Sequence, residues 1–145
     1  MSKTTQTITL AILKPDTMKS RNVGSVIEML ENAGFKIRAS KVLQLKQDEA
    51  EAFYCELRER PFFESLVQFM TSGPCMPLAL EHERAVPYLR EVIGATDPSE
   101  AAEGTIRALY ADSKERNAIH ASDSDANAQL ELGFFFSRLE LITRA

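Results

Sequence analysis

From Thr7 to Leu13 apolar and polar residues alternate, putting Ile8, Leu10 and Ile12 on one face and predicting a strand closed by "KP". Val23, Val26, Ile27 and Leu30 then fall at helical spacing, and Gly34 stops that helix. "FKIRASKVLQL" returns to period two, with Phe35, Ile37, Ala39, Leu43 and Leu45 on one side of a second strand. Asp48 and Glu51 form a capping pair for a helix whose stripe is Ala50, Phe53, Tyr54 and Leu57. A further helix follows Pro61, with Phe63, Leu66, Val67 and Met70 facing inward and Phe62 off the stripe. "CMPLALE" reads as a third strand, although Pro77 suits an edge or irregular position better than a central one. "RAVPYLREVIG" is helical up to Gly94, with Pro87 predicting a late or distorted first turn. After a loop-rich section, a helix runs from Ser124 through Phe135, and "RLELI" is a last short strand.

Collapsing the paired helices in this order gives βαββαβ. That is an α+β, ferredoxin-like plan: a four-stranded antiparallel sheet with helices packed on one face. Neither a repeat nor a linker interrupts residues 1–145, so a single domain is expected. The plan itself is silent on function, because it hosts enzymes, metal carriers and RNA binders alike.

Composition narrows the classes. With 44% hydrophobic and 26% charged residues, the chain has an ordinary globular balance. Its apolar runs are too short to cross a bilayer, and "MSKTTQTITLAILKP" makes a poor signal peptide, so a cytoplasmic protein without membrane partners is expected. A net charge of -4 argues against a dedicated nucleic-acid binder while allowing a local basic cleft. Cys55 and Cys75 lack metal-ligand or redox spacing and are expected to be reduced and buried.

The candidate chemistry centres on "NAIHASDS", which holds one of the chain's two histidines. An imidazole with its ordinary pKa of about 6.5 is mostly neutral, hence nucleophilic, near pH 7. A helix starting near Ser124 would turn free N–H groups toward a nearby anion, and Glu131, about two turns into it, could hydrogen-bond one ring nitrogen of His120. That bond would fix the tautomer and leave the other nitrogen bare. Short stretches of this kind are more often a loop histidine ahead of a capped helix, so the decision rests on partners elsewhere. Lys14, Arg90 and Arg107 supply them, at "KP", before "GATDP" and in "GTIR". Guanidinium forks match phosphate oxygens, and a lysine adds a compact positive charge. Neither a G-x-x-x-x-G-K-[ST] loop nor a G-x-G-x-x-G fingerprint is present.

These blocks together resemble the nucleoside diphosphate kinases. The resemblance runs nearly end to end, through "AILKPD", "NVGSVIEMLENAGFKI", "RPFFESLVQFMTSGP", "IGATDP" and "GTIRALYADSKERNAIHASDS". It implies transfer of the γ-phosphate of a nucleoside triphosphate to a nucleoside diphosphate by a ping-pong route that uses Mg²⁺. His120 matches the histidine that is phosphorylated, Glu131 orients it, and Ser122 joins that network. Lys14, Arg90, Thr96 and Arg107 match phosphate-gripping groups, Asn117 a residue bonding the sugar, and Phe62 the aromatic on which the base stacks. Tyr54 and Arg60 match positions near the phosphates. Asp123 matches a carboxylate near the metal, which is carried mainly by the nucleotide. The resemblance also implies a homo-oligomer, with the short C-terminus favouring a tetramer over a hexamer or dimer. The competing expectation is a ferredoxin-like regulatory module that binds nucleotide without turnover. Departures from the family pattern are Ala121 where glycine is usual, Asp125 in place of an apolar residue, and Pro77 and Pro87.

Overall fold

The computed structural model describes residues 7–142. In chain order the elements are β1 (Thr7–Leu13), α1 (Pro15–Lys19), α2 (Val23–Asn32), β2 (Lys36–Ser40), α3 (Gln47–Phe53), α4 (Phe63–Met70), β3 (Met76–His82), α5 (Ala85–Ile93), α6 (Ile106–Tyr110), β4 (Ile119–Ala121) and α7 (Asp125–Phe135). Single 3-10 turns lie at Cys55–Leu57 and Pro98–Glu100. The strands form one antiparallel sheet in the order β2-β3-β1-β4, the expected βαββαβ plan. No helix among the described residues is long and apolar enough to cross a membrane.

Helices cover both faces of this sheet rather than one. Leu10, Ile12 and Ala79 point to a core shared with Ala50 of α3, Leu66 and Met70 of α4, and Leu132 of α7. Ala11, Leu13, Leu78 and Leu80 point the other way, onto Val26 and Leu30 of α2, Leu89 of α5 and Ile106 of α6. The central strands are apolar at successive positions, so each face must be removed from water.

The fourth strand differs from expectation too. Residues 138–142 form turns in which the Leu141 N–H donates to the carbonyls of Ser137 and Arg138, while Leu139 stays 66% exposed. The edge of the sheet beside β1 is taken instead by Ile119–Ala121, which carries His120. Three residues are too few for a periodic signal.

Local chemistry explains the other shifts. The second strand breaks at Arg38, where a bulge moves the pairing from Ile37↔Leu80 to Ala39↔Ala79. The extra residue carries Phe35 and Ile37 to one core and Ala39, Leu43 and Leu45 to the other. The predicted Asp48–Glu51 cap moves two residues upstream, because Glu49 accepts the Lys46 N–H at 2.8 Å and the helix starts earlier. Pro77 occupies a central strand after all. Its carbonyl accepts the Lys41 N–H at 3.3 Å, so its nitrogen faces the same side, where β2 has ended at Ser40 and pairing resumes only at Leu43↔Cys75. A missing donor costs nothing in that gap. Pro87 leaves the first turn of α5 regular: the Tyr88 N–H reaches the Arg84 carbonyl at 2.9 Å, and N–H groups before it have no acceptor in the helix. Cys75 is buried as expected, whereas Cys55 is exposed on the 3-10 turn after α3.

Gly94 ends α5 at φ +90°, and a Cβ there would lie 2.5 Å from the Oγ1 of Thr105. Thr105 caps α6, its Oγ1 accepting the Ala108 N–H. Gly94→Ala is therefore expected to lower unfolding free energy by roughly 1–3 kcal/mol through backbone strain, measured by urea denaturation. Wild-type stability in that variant would show that the turn relaxes freely.

Candidate active site

Strand alternation aims His120. Ile119 and Ala121 turn into the core under α2 and α5, so His120 between them projects to the opposite face, beside α3 and α7. There its Nε2 lies 2.6 Å from Oε1 of Glu131, which also accepts the Ser122 hydroxyl at 2.8 Å. A carboxylate can only accept, so the proton sits on Nε2 and Nδ1 keeps its lone pair. Phe53 meets the ring edge-on at 5.4 Å and Tyr54 does so at 6.0 Å. Hydrogen bonds and ring packing together fix the orientation of the imidazole.

The strand is anchored just before the histidine. Ala118 has φ +73°, held by its N–H donating to Asp16 (2.9 Å) and by its carbonyl accepting the Lys14 N–H (2.9 Å) and the Thr17 hydroxyl (2.8 Å). Ala121, the departure from glycine, is not among the described residues with positive φ, so its methyl group introduces no strain there. Asp125 is exposed on the first turn of α7 and lies outside the cleft described next.

His120 opens on a cleft of about 590 Å³. Lys14, Arg90, Thr96, Arg107 and Asn117 line it, and so do Tyr54, Phe62, Asp123 and Glu131. Lys14 is only 6% exposed and donates to Oδ1 of Asn117 at 2.8 Å. Asn117 in turn donates to the Thr96 carbonyl at 3.3 Å. Burial and the neighbouring Arg107 charge lower the Lys14 pKa to about 8, against the opposing pull of Asp16 and Glu115. Arg107 donates to the carbonyls of Asn117, Gly94 and Ile119. Burial and the Arg90 charge bring its pKa down to about 10, so it stays a cation at neutral pH. Among the described residues none of these three cations makes an ion pair. Lys14, Arg90 and Arg107 thus bring three cations without ion-pair partners to a cleft whose wall also holds the carboxylates of Glu56, Glu115, Asp123 and Glu131, and an anion can bind at the cationic groups.

Phe62 caps the start of α4 and is 48% exposed, as its place off the helical stripe predicted. Tyr54 is buried, its hydroxyl has no partner among the described residues, and burial raises its pKa, so it keeps its proton as a donor. Ser122 joins the His120–Glu131 network as expected, buried and donating to Glu131. Arg60 lines a separate surface depression with Glu51, Arg58 and Glu64. Sequence reasoning missed Phe53, taken only as core, and Asp16, whose carboxylate holds Ala118. It also missed Asn127, which donates to Asp123 at 2.6 Å, and the charged pair Lys114 and Glu115 on the cleft wall. Only helical spacing could have flagged Asn127, four residues after Asp123.

A fixed imidazole with one free nitrogen, three cations without ion-pair partners among the described residues and an exposed aromatic ring make a site for an anionic, ring-bearing substrate and group transfer to nitrogen. The sequence model described as "Nucleoside diphosphate kinase" matches residues 7–141. A nucleoside diphosphate kinase of Chlorobium limicola is 54% identical over 134 residues, covering 92% of this chain and 96% of that one. Among solved structures, the Aquifex aeolicus nucleoside diphosphate kinase superimposes with a TM-score of 0.93 at 44% identity, covering 95% of this chain and 100% of that one. A halophilic nucleoside diphosphate kinase from Halobacterium salinarum, solved in complex with CDP, gives a TM-score of 0.93 at 33% identity, covering 97% and 94%. The chain belongs to the nucleoside diphosphate kinase family.

Lys14 sets a pH signature. Near pH 8 the empty site holds it half-protonated, and a bound phosphate favours the charged form and raises its pKa. Nucleotide binding at pH 8 should therefore take up about half a proton through Lys14, with affinity declining as pH rises further. Calorimetry in buffers of different ionisation enthalpy measures this, and equal uptake in Lys14→Met would assign it to another group.

Proposed function

We propose that residues 1–145 form one nucleoside diphosphate kinase domain and that His120 carries the transferred phosphate. Nδ1 attacks the γ-phosphorus of a bound triphosphate in line, and the bond to the β,γ-bridging oxygen breaks as the N–P bond forms. The diphosphate leaves with the electron pair. In the second half a terminal oxygen of another nucleoside diphosphate attacks the same phosphorus, and the N–P bond returns its electrons to the ring. No proton need move, because Nε2–H stays paired with Glu131 and stabilises the charge that the ring gains. The observation that carries this reading is the 2.6 Å Nε2–Glu131 contact, which directs the lone pair to Nδ1 on a residue lining the same cleft as Lys14, Arg90 and Arg107.

Phosphoryl transfer asks a protein chiefly for positioning and charge neutralisation. Lys14, Arg90, Thr96 and Arg107 grip the phosphates, Asn117 bonds the sugar, Tyr54 donates its free hydroxyl, and Phe62 stacks on the base. Arg60 adds a further positive charge near the phosphates. Stacking accepts every base, in keeping with a broad nucleotide range. Among the described residues no cluster of three or more His, Cys, Asp or Glu could hold a metal alone. The donor set therefore fits Mg²⁺ arriving on the phosphates, with Asp123 as the carboxylate beside it. When bound, the ion neutralises charge on the β- and γ-phosphates.

Incubation with γ-labelled ATP tests the reading. We expect an acid-labile label on wild type that GDP discharges, and none on His120→Ala, which still binds nucleotide. An unlabelled wild type would favour a silent regulatory module. A label that GDP cannot discharge would indicate a relay to a partner protein.

We further propose a cytoplasmic homo-oligomer, with the tetramer favoured. The edge strand β2 and the segment beside it support this: Val42, Leu139 and Ile142 are all more than half exposed, and Arg38 and Lys41 tie the segment down through the Leu141 and Phe135 carbonyls. Light scattering should return a tetrameric mass, and a monomer would refute self-association.

A further inference from the structure

Asn117 and His120 line one cleft, and a strained piece of backbone joins them. The Ile119 N–H donates to the Asn117 carbonyl at 2.8 Å, two residues back, with Ala118 between them at φ +73°. This is a γ-turn of the rare, strained kind. Alanine does not take a left-handed φ by preference, because its Cβ crowds the chain there. Partners outside the turn must therefore hold it. Asp16 Oδ2 accepts the Ala118 N–H at 2.9 Å, and the Thr17 hydroxyl donates to the Ala118 carbonyl at 2.8 Å. These two side chains grip opposite ends of the central residue. Both belong to α1, directly after Lys14, whose own N–H also reaches the Ala118 carbonyl at 2.9 Å. Arg107 braces the flanks through the carbonyls of Asn117 and Ile119.

What lies on either side gives the turn its consequence. Lys14 and Asn117 are hydrogen-bonded to each other before it, and β4 with His120 begins after it. If Ala118 returned to negative φ, the chain between Asn117 and Ile119 would lengthen and change direction. The imidazole would then shift against the groups proposed to hold the nucleotide. We infer that Asp16 and Thr17 are positioning residues for the transfer: by locking the γ-turn at Ala118 they set where His120 stands relative to Lys14 and Asn117. This rests on the kinase reading and adds to it two residues, neither of which lines the cleft. Asp16 also faces the Lys14 charge, whereas Thr17 is neutral, so the pair separates the grip from an electrostatic side effect.

The test compares wild type with Thr17→Val, Asp16→Ala and Asp16→Asn, the last keeping an oxygen that can accept the Ala118 N–H. Rapid quenching at saturating ATP gives the rate of phosphoenzyme formation, and calorimetric titration with ADP gives affinity. Misplacing the nucleophile should slow labelling roughly tenfold to a hundredfold in Asp16→Ala and several-fold in Thr17→Val. ADP affinity in Thr17→Val should stay near wild type. Asp16→Asn should recover most of the Asp16→Ala loss; an equally slow Asp16→Asn would trace the effect to charge and overturn the grip. With Ala118→Gly in the background, Asp16→Ala and Thr17→Val should each cost several-fold less, because glycine takes positive φ unaided. Long-range ¹H–¹⁵N spectra of the imidazole read its position without turnover. Wild type should show the Nε2–H tautomer alone, and Asp16→Ala and Thr17→Val a mixture as the 2.6 Å bond to Glu131 loosens. Wild-type rates or wild-type imidazole spectra in both variants would overturn the inference, as would equal losses with alanine and glycine at 118. An unlabelled wild type would refute the kinase reading alone, because the spectra decide positioning without phosphotransfer.

Discussion

The short contact between Glu131 and His120 joins the two elements on which the site depends, an edge strand of three residues and the helix that follows it. Without the helix, β4 would be a minimal edge pairing that leaves its imidazole free to rotate. Without the strand, Glu131 would be a half-buried carboxylate lacking its ring partner. The single oxygen that receives both Nε2 and the Ser122 hydroxyl ties residues 120, 122 and 131 into one rigid unit. Packing supplies the rest of the restraint. Phe53 and Tyr54 close around the ring, and Phe53 itself rests on Phe134 and Phe135 of α7.

Around that unit the protein accumulates unpaired positive charge, an arrangement that costs stability. Lys14 carries its cost visibly, since burial and Arg107 disfavour its charged form. The chain reduces the cost with neutral acceptors in place of carboxylates: the Asn117 amide for Lys14 and three backbone carbonyls for Arg107. Carbonyl dipoles hold a cation in place without cancelling its net charge, which remains available to a ligand.

Much of this was legible in the chain. Periodicity located β1, α2 and α4 because each repeats its apolar stripe over several turns or pleats, whereas α7, which exposes Leu130 and Phe134 and has no single apolar face, was placed by its start at Ser124. The losses share a cause. β4 and α6 are too short to display a period, and the β2 bulge reverses alternation within one residue. Pro77 lies in a central strand but at a break in its pairing with β2, and its tolerance depends on where that neighbouring strand stops. The residues missed, Phe53 and Asp16, act through contacts between distant parts of the chain, whereas Lys14, Arg90 and Arg107 stood out by their places beside tight turns and the resemblance added Thr96, Asn117 and Phe62.

The three carbonyls around Arg107 carry a further consequence. A guanidinium with three of its five N–H donors engaged by main chain is held in place without a ligand and has no need to swing toward a neighbour when one departs. A two-stroke transfer, in which the first product must leave before the second reactant enters, passes through that vacant stage on every cycle. Scaffolding the cation on peptide groups lets the pocket idle between strokes without having to be rebuilt.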